Sequence, residues 1–301
     1  MEDFHPLRSW RPRVAVDVGT AYIRVARLGA GVEIHPLAAA PAPPLRQGVV
    51  ADPVAVAAFL RPGLERARRW GMLGPRVLVG APTDAREDER ALLHQALRAA
   101  GAAEVEIVPE PCAAALGAGV DLSSPYAQMI VDVGEGVTDC AILRCGEIVA
   151  TSTLRVGCAD LREQVRLGLL DMGHKSLQAA DPGRILTSLG VSEDAEGAAA
   201  MRVVPADVDA GAPVHISAAL VRALVAPVVA RIVGTVADFL RGAPPEPGCE
   251  IIESGIFLTG GGALVPGLAG LLAEATAVPI HSPPHPLDAV ILGLRRMAAA
   301  P

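Results

Sequence analysis

The chain has 301 residues, 51% hydrophobic and 20% charged, enough to bury sizeable cores and too apolar to remain disordered. A formal net charge of −7 leaves no broad basic face to neutralise phosphates, which excludes a general nucleic-acid binder. The five cysteines (Cys112, Cys140, Cys145, Cys158 and Cys249) form neither a C-x-x-C pair nor a His-flanked metal spacing. They read as reduced, buried thiols of a cytosolic protein.

Taken in chain order, Met1 to Arg13 lacks the apolar centre of a signal peptide. Phe4, Leu7 and Trp10 recur every three residues with Arg8, Arg11 and Arg13 between them, the pattern of a short amphipathic membrane anchor. Pro6 and Pro12 limit any helix there to about one turn, and a disordered tail is the alternative. Arg13 to Asp17 is an apolar run ending in an acid, followed by Gly19-Thr20 and the alternating run Tyr22 to Leu28, so a hairpin turning at Gly19 is expected. Pro41, Pro43 and Pro44 mark an irregular connection. Helical spacing then covers Val54 to Trp70, a buried strand Arg76 to Gly80, a helix Ala85 to Ala100, and a strand Val105 to Val108 leading into the small-residue helix Cys112 to Ala118.

The opening pattern then recurs. Met129 to Val133 is an apolar strand carrying Asp132, followed by Gly134, Thr138 and strands over Asp139 to Leu143 and Ile148 to Thr153. Two copies of one strand–Asp–Gly–Thr–strand unit predict a duplicated fold. The apolar stretch Ile216 to Leu240 carries Arg222, Arg231, Asp238 and Pro227, so it reads as a buried or amphipathic helix and not as a membrane span. A strand Ile256 to Leu258, the triplet Gly260-Gly261-Gly262 and a helix Leu264 to Thr276 follow; strands alternating with helices predict α/β domains with mixed sheets.

A tight Gly-Thr turn lets backbone N–H groups and a hydroxyl face an anion. An Asp at the end of the preceding strand can hold Mg²⁺ through water, and a glycine triplet between strand and helix admits a phosphate or a flat base. Each signal alone is weak; two such turns and the triplet in order are far stronger.

Four stretches then become specific: Glu110-Pro111-Cys112-Ala113-Ala114-Ala115-Leu116-Gly117-Ala118-Gly119, Leu258-Thr259-Gly260-Gly261-Gly262-Ala263-Leu264, Arg46-Gln47-Gly48-Val49-Val50-Ala51-Asp52 and Pro286 to Gly293. In these, and in order from about Val14 to Met297, the chain resembles the MreB/Mbl family of bacterial actin-like proteins. It implies a duplicated ribonuclease-H-like actin fold of α/β class, two domains flanking a nucleotide cleft. Domain I would be 12–120 plus 286–301, its outer subdomain mostly missing, and domain II 125–285, with 160–222 as its smaller outer subdomain. ATP and Mg²⁺ are the implied cofactors. Asp17, Gly19, Thr20 and Ala21 would form a first phosphate loop, Gly134, Gly136 and Thr138 a second, and Gly260, Gly261, Gly262 and Ala263 the nucleoside side. Asp17 and Asp132 would hold Mg²⁺ mostly through water. Glu110 and Asp132 would be catalytic, orienting the attacking water; read alone, Glu110 is a helix-start acid beside Pro111.

The resemblance further implies filament formation beneath the membrane, cell-shape determination and spatial organisation of wall synthesis. The implied partners are copies of the chain or a full-length actin homologue, cell-wall elongation proteins, and the inner membrane surface through residues 4–11, with a cytoplasmic location. The alternatives are an actin-fold scaffold that neither hydrolyses ATP nor polymerises alone, and a small-molecule kinase. Three departures from the family bear on this. Glu135 and Val137 alter the second loop, Glu135 repelling phosphate, pointing into solvent or adding a metal ligand. Leu186 and Ser188 stand where a Lys and a Glu are expected. A short proline-rich link, His35 to Pro44, replaces a longer excursion. Glu193 to Ala200 reads as a surface loop.

Overall fold

The computed structural model describes residues 10–40, 42–171, 181–193, 200–203 and 214–300. The chain divides into two compact units, Met1–Asp121 with Asp288–Pro301, and Leu122–Leu287. Of the expected anchor at 4–11 only Trp10 and Arg11 are described, and most of the loop expected over Glu193 to Ala200 lies outside the described residues.

In the first unit, β1 (Arg13–Val18), β2 (Tyr22–Arg27) and β3 (Val32–Pro36) form an antiparallel meander. A two-residue pair, β4 (Leu45–Arg46) and β5 (Val49–Val50), turns at Gln47 and Gly48, both with positive φ. Helix α1 (Pro53–Arg66) starts where the Asp52 carboxylate accepts from Val54 and Ala55 N–H, each at 3.0 Å. β6 (Arg76–Ala81), α2 (Glu87–Ala99), β7 (Glu104–Pro109) and α3 (Glu110–Ala118) follow, and the sheet order is β3-β2-β1-β6-β7 with β1, β6 and β7 parallel.

Strand alternation divides the faces of this sheet. Val14, Val16, Ile23 and Val25 pack with Val56, Leu60 and Leu64 of α1 and Leu93 and Leu97 of α2. Ala15, Asp17, Arg24 and Ala26 therefore face the other side, where the last helix, Ala289–Ala299, crosses β1 and packs on α3. That crossing is backbone against backbone: a Cβ on Gly117 would lie 1.7 Å from the Ala289 carbonyl oxygen, and one on Gly293 would lie 1.8 Å from that of Ala113.

The second unit repeats the design. β8 (Gln128–Val133), β9 (Thr138–Arg144) and β10 (Glu147–Leu154) form a second meander. Then come α4 (Cys158–Asp171), α5 (Asp181–Leu189), the antiparallel pair β11 (Ala200–Val203) and β12 (Val214–Ser217), α6 (Ala218–Arg241) and α7 (Pro245–Ser254). β13 (Ile256–Thr259), α8 (Leu268–Thr276) and β14 (Ile280–His281) complete a sheet of order β10-β9-β8-β13-β14. Both sheets are three meandering strands extended by two parallel ones, the duplication expected from the sequence.

α6 is long and apolar enough to cross a membrane, and one face of it, with Val221, Val225, Ile232 and Val236 fully buried, packs in the core with α4 and α8.

The structure corrects several details. β3 and α7 have no clear signal in the sequence, and between β3 and β4 the described chain holds one 3₁₀ turn, Leu37–Ala39. α1 stops four residues short of Trp70, and the chain then turns back at Trp70 and Gly71, both with positive φ, where Arg69 bridges Leu73. The helix expected from Leu264 is a 3₁₀ turn, Gly261–Leu264, then α8; Pro266 offers no N–H and Gly267 has φ 88°. The cysteines are free, but Cys145 and Cys249 are exposed and Cys112 half-buried, so only Cys140 and Cys158 are buried. Cys145 occupies the β9–β10 turn with φ 52°, where a side chain projects outward.

Gly117→Ala or Gly293→Ala is expected to destabilise the protein by about 3 kcal/mol, because backbone rather than a pliable side chain blocks the added methyl. Gly270→Ala, on an exposed part of α8 where an added Cβ would meet nothing within 4 Å, should instead be neutral or stabilising by ~0.5–1 kcal/mol. Denaturant titration compares the three; a tolerated Gly117→Ala would contradict the crossing.

Candidate functional site

In the first unit β1 ends beside the turn Gly19-Thr20-Ala21, closed by the Gly19 N–H donating to the Tyr22 carbonyl at 3.0 Å. The Thr20 hydroxyl oxygen accepts from Gly48 N–H at 3.1 Å, which ties this turn to the β4–β5 turn. Asp17 and Arg24 are register partners on β1 and β2, and both are buried, 6% and 8% exposed. The Arg24 Nη1 donates to Asp17 Oδ2 at 2.9 Å, and its Nε lies 3.4 Å from Asp288 Oδ1 at the start of the last helix. Burial pushes the Asp17 carboxyl above its ordinary range; Arg24 pulls it back and Asp288 adds a smaller upward push. Glu110 opens α3, and Gly80 at the end of β6 makes room for it, since a Cβ there would lie 2.8 Å from the Glu110 Cγ.

The second loop, Gly134 to Val137, is closed by Gly134 N–H donating to the Val137 carbonyl at 2.8 Å. Its carbonyls are turned to α4: Gly134 accepts from Cys158 N–H at 3.0 Å and Glu135 from Ala159 N–H at 2.8 Å. Across a planar trans peptide the N–H opposes the C=O, so the N–H groups of Glu135 and Gly136 point away from α4, the arrangement of an anion-binding concavity. The Glu135 carboxylate is paired with Arg162 of α4, so it is not a bare charge at the loop. The Thr138 hydroxyl, expected to face phosphate, is fully buried and donates to the Val156 carbonyl at 2.9 Å. The loop therefore turns backbone amides outward, and not that hydroxyl.

Asp132 is half-buried at the end of β8 and accepts from the Thr259 hydroxyl of β13 at 2.7 Å. The glycine triplet stands against this loop. A Cβ on Gly260 would lie 2.5 Å from the Val133 carbonyl oxygen, one on Gly262 2.4 Å from the Val133 Cβ, and one on Gly261 3.2 Å from the Cys158 Sγ. Close packing alone requires Gly260 and Gly262, and Ala263 continues the 3₁₀ turn beside them.

The second unit thus brings together Asp132, Gly134, Gly136 and Gly260 to Ala263, with Thr138 behind the loop. The first gathers Asp17, Gly19, Thr20 and Ala21 at one turn. Sequence reasoning missed Arg24, Arg162 and the buried Asp139, which faces Asp132 in the β8–β9 register and accepts from the Thr153 hydroxyl at 2.7 Å. Register supplies the missing signal for Arg24: a hairpin turning at Gly19 sets residues 17 and 24 opposite each other. The residues do not fit the expected Mg²⁺ arrangement at Asp17, whose carboxylate is buried and held by a guanidinium.

An α/β chain with two copies of this sheet, each meander opening on a glycine turn after an Asp, has the architecture of the actin-like proteins. It is similar to the solved structures of MreB5 of Spiroplasma citri bound to ADP (TM-score 0.84, 25% identical, 95% of this chain and 96% of that one) and of the MamK double helical filament (TM-score 0.77, 18% identical, 96% and 99%). The family model for MreB/Mbl protein matches residues 35–301. Among relatives, the cell shape-determining protein MreB of Escherichia coli is 32% identical over 256 residues, 83% of this chain and 73% of the relative. The chain belongs to the MreB/Mbl family.

Proposed function

We propose that this chain is an adenine-nucleotide-binding cytoskeletal protein that self-assembles beneath the membrane and acts in cell-shape determination and the placing of wall synthesis. The observation that carries the reading is the second loop, where α4 fixes the carbonyls and leaves the Glu135 and Gly136 amides turned outward, beside a glycine triplet packed on the same loop. The first turn supplies a matching element, and the ADP-bound relative and the family of cell shape-determining proteins support the same assignment. In this reading Gly19, Thr20 and Ala21 and the second-loop amides receive phosphates, Gly260 to Ala263 receive the nucleoside, and Glu110 and Asp132 orient water for hydrolysis. The MamK filament supports self-association as the mode of assembly, with a full-length homologue as an alternative co-subunit.

Calorimetry should give micromolar ATP binding, about −8 kcal/mol, and sedimentation should show pelleting that depends on nucleotide. Binding without phosphate release or pelleting would select the non-hydrolysing scaffold, and no binding at all would overturn the nucleotide reading.

Contact with the membrane has its own support. The protein has two tryptophans, and both are on the surface together: Trp10 and Trp70 have ring centroids 6.0 Å apart, with the Arg69 guanidinium 5.7 and 4.7 Å from the two rings. Trp70, Met72 and Arg68 beside them are exposed. Indole, thioether and guanidinium together suit the headgroup boundary of an anionic bilayer, and Trp10 is the last residue of the Phe4-Leu7-Trp10 sequence pattern. Because both tryptophans lie here, intrinsic fluorescence reports on this patch alone. Vesicles containing anionic lipid should shift the emission to the blue and float the protein, and Trp70→Ser with Met72→Ser should weaken both. An unchanged spectrum would contradict the assignment.

A further inference from the structure

Arg24, on the strand that follows the first turn, carries more donor capacity than its pairing with Asp17 uses. It is 8% exposed, and among the described residues its guanidinium makes one hydrogen bond, to Asp17, while its buried Nε makes none. Asp288 lies 3.4 Å from that Nε and the Tyr22 ring centroid 5.3 Å from the Arg24 Cζ, so the group is held between two carboxylates and a ring face. A guanidinium carries five donors in a planar fork, suited to phosphate oxygens, and it stays charged at every relevant pH. Burying it with donor capacity unspent is costly, and a strand position facing Asp17 does not require arginine for packing.

The same contact changes what Asp17 can do. A bare carboxylate beside an anion-binding turn repels phosphate until a divalent cation neutralises it. Here neutralisation is built into the chain, by a side chain on the strand that follows the turn.

We propose that Arg24 is the resident cation of the first turn: it takes the place of a divalent ion at Asp17 and turns its unspent donors to the nucleotide's phosphates, so that nucleotide binding draws little on Mg²⁺. The proposal rests on the nucleotide-binding reading and specifies how the charge on the phosphates is met.

The test is calorimetric binding of ATP in excess Mg²⁺ and in EDTA, for the natural protein and for Arg24→Leu. The natural protein should lose less than about 5-fold in EDTA, while Arg24→Leu, with Asp17 freed for a metal, should lose roughly 30-fold or more and recover when Mg²⁺ returns. Should Arg24→Leu fail to fold, Arg24→Lys keeps a cation without the fork, and intermediate dependence on Mg²⁺ is expected. Loss of natural-protein binding in EDTA with tight binding in Mg²⁺ would overturn the proposal and leave the nucleotide reading standing. Mg²⁺-independent binding by both the natural protein and Arg24→Leu would overturn the role of Arg24. No ATP binding in either condition would overturn the nucleotide reading, and the proposal with it.

Discussion

A carboxylate buried at the end of a strand requires a cation, and in the first unit that requirement organises the surroundings. Asp17 is 6% exposed on the sheet face that the last helix crosses, and Arg24 meets it from the opposing strand. Removing one member of such a pair leaves an uncompensated buried charge, a loss of about 3–5 kcal/mol. The pair explains why β2 carries an arginine between two fully buried apolar residues, Ile23 and Val25. It also ties the start of the last helix to the first turn, since Asp288 lies within reach of the same guanidinium. Small residues do the rest: Ala15 and Ala26 line that face, and Gly117 and Gly293 let α3 and the last helix meet at van der Waals contact of their backbones.

The second unit solves the corresponding problem differently. Asp132 receives a hydroxyl from Thr259 where Asp17 receives a guanidinium. At this loop a cation, Arg162, pairs instead with Glu135. Two copies of one sheet topology thus carry different charge arrangements at equivalent turns. The duplication preserves the backbone path, and the side chains around each turn have been set independently.

The strands and the duplication were legible because their signals are local: an apolar run, an acid, a glycine turn and a second run, twice. The glycine triplet was also visible, although its packing reason was not, since Val133 and Cys158 come from distant parts of the chain. What the sequence concealed was pairing. Glu135 read as an isolated charge because Arg162 lies beyond two intervening strands, β9 and β10, and Thr138 read as a phosphate ligand because nothing nearby signals its bond to Val156. Arg24 was hidden for another reason: it looked like one residue of an alternating strand, and only the register shows that it faces Asp17. The exposed Cys145 and Cys249 were misjudged because apolar neighbours in sequence are not neighbours in space.

The most direct test of the central claim is hydrogen exchange on the full chain with and without ATP, read on peptides covering 17–21 and 133–137. The account predicts slowed exchange in both segments on adding ATP, because each turn gives its amides to phosphate. Unchanged exchange in both, in protein shown to be folded, would contradict it.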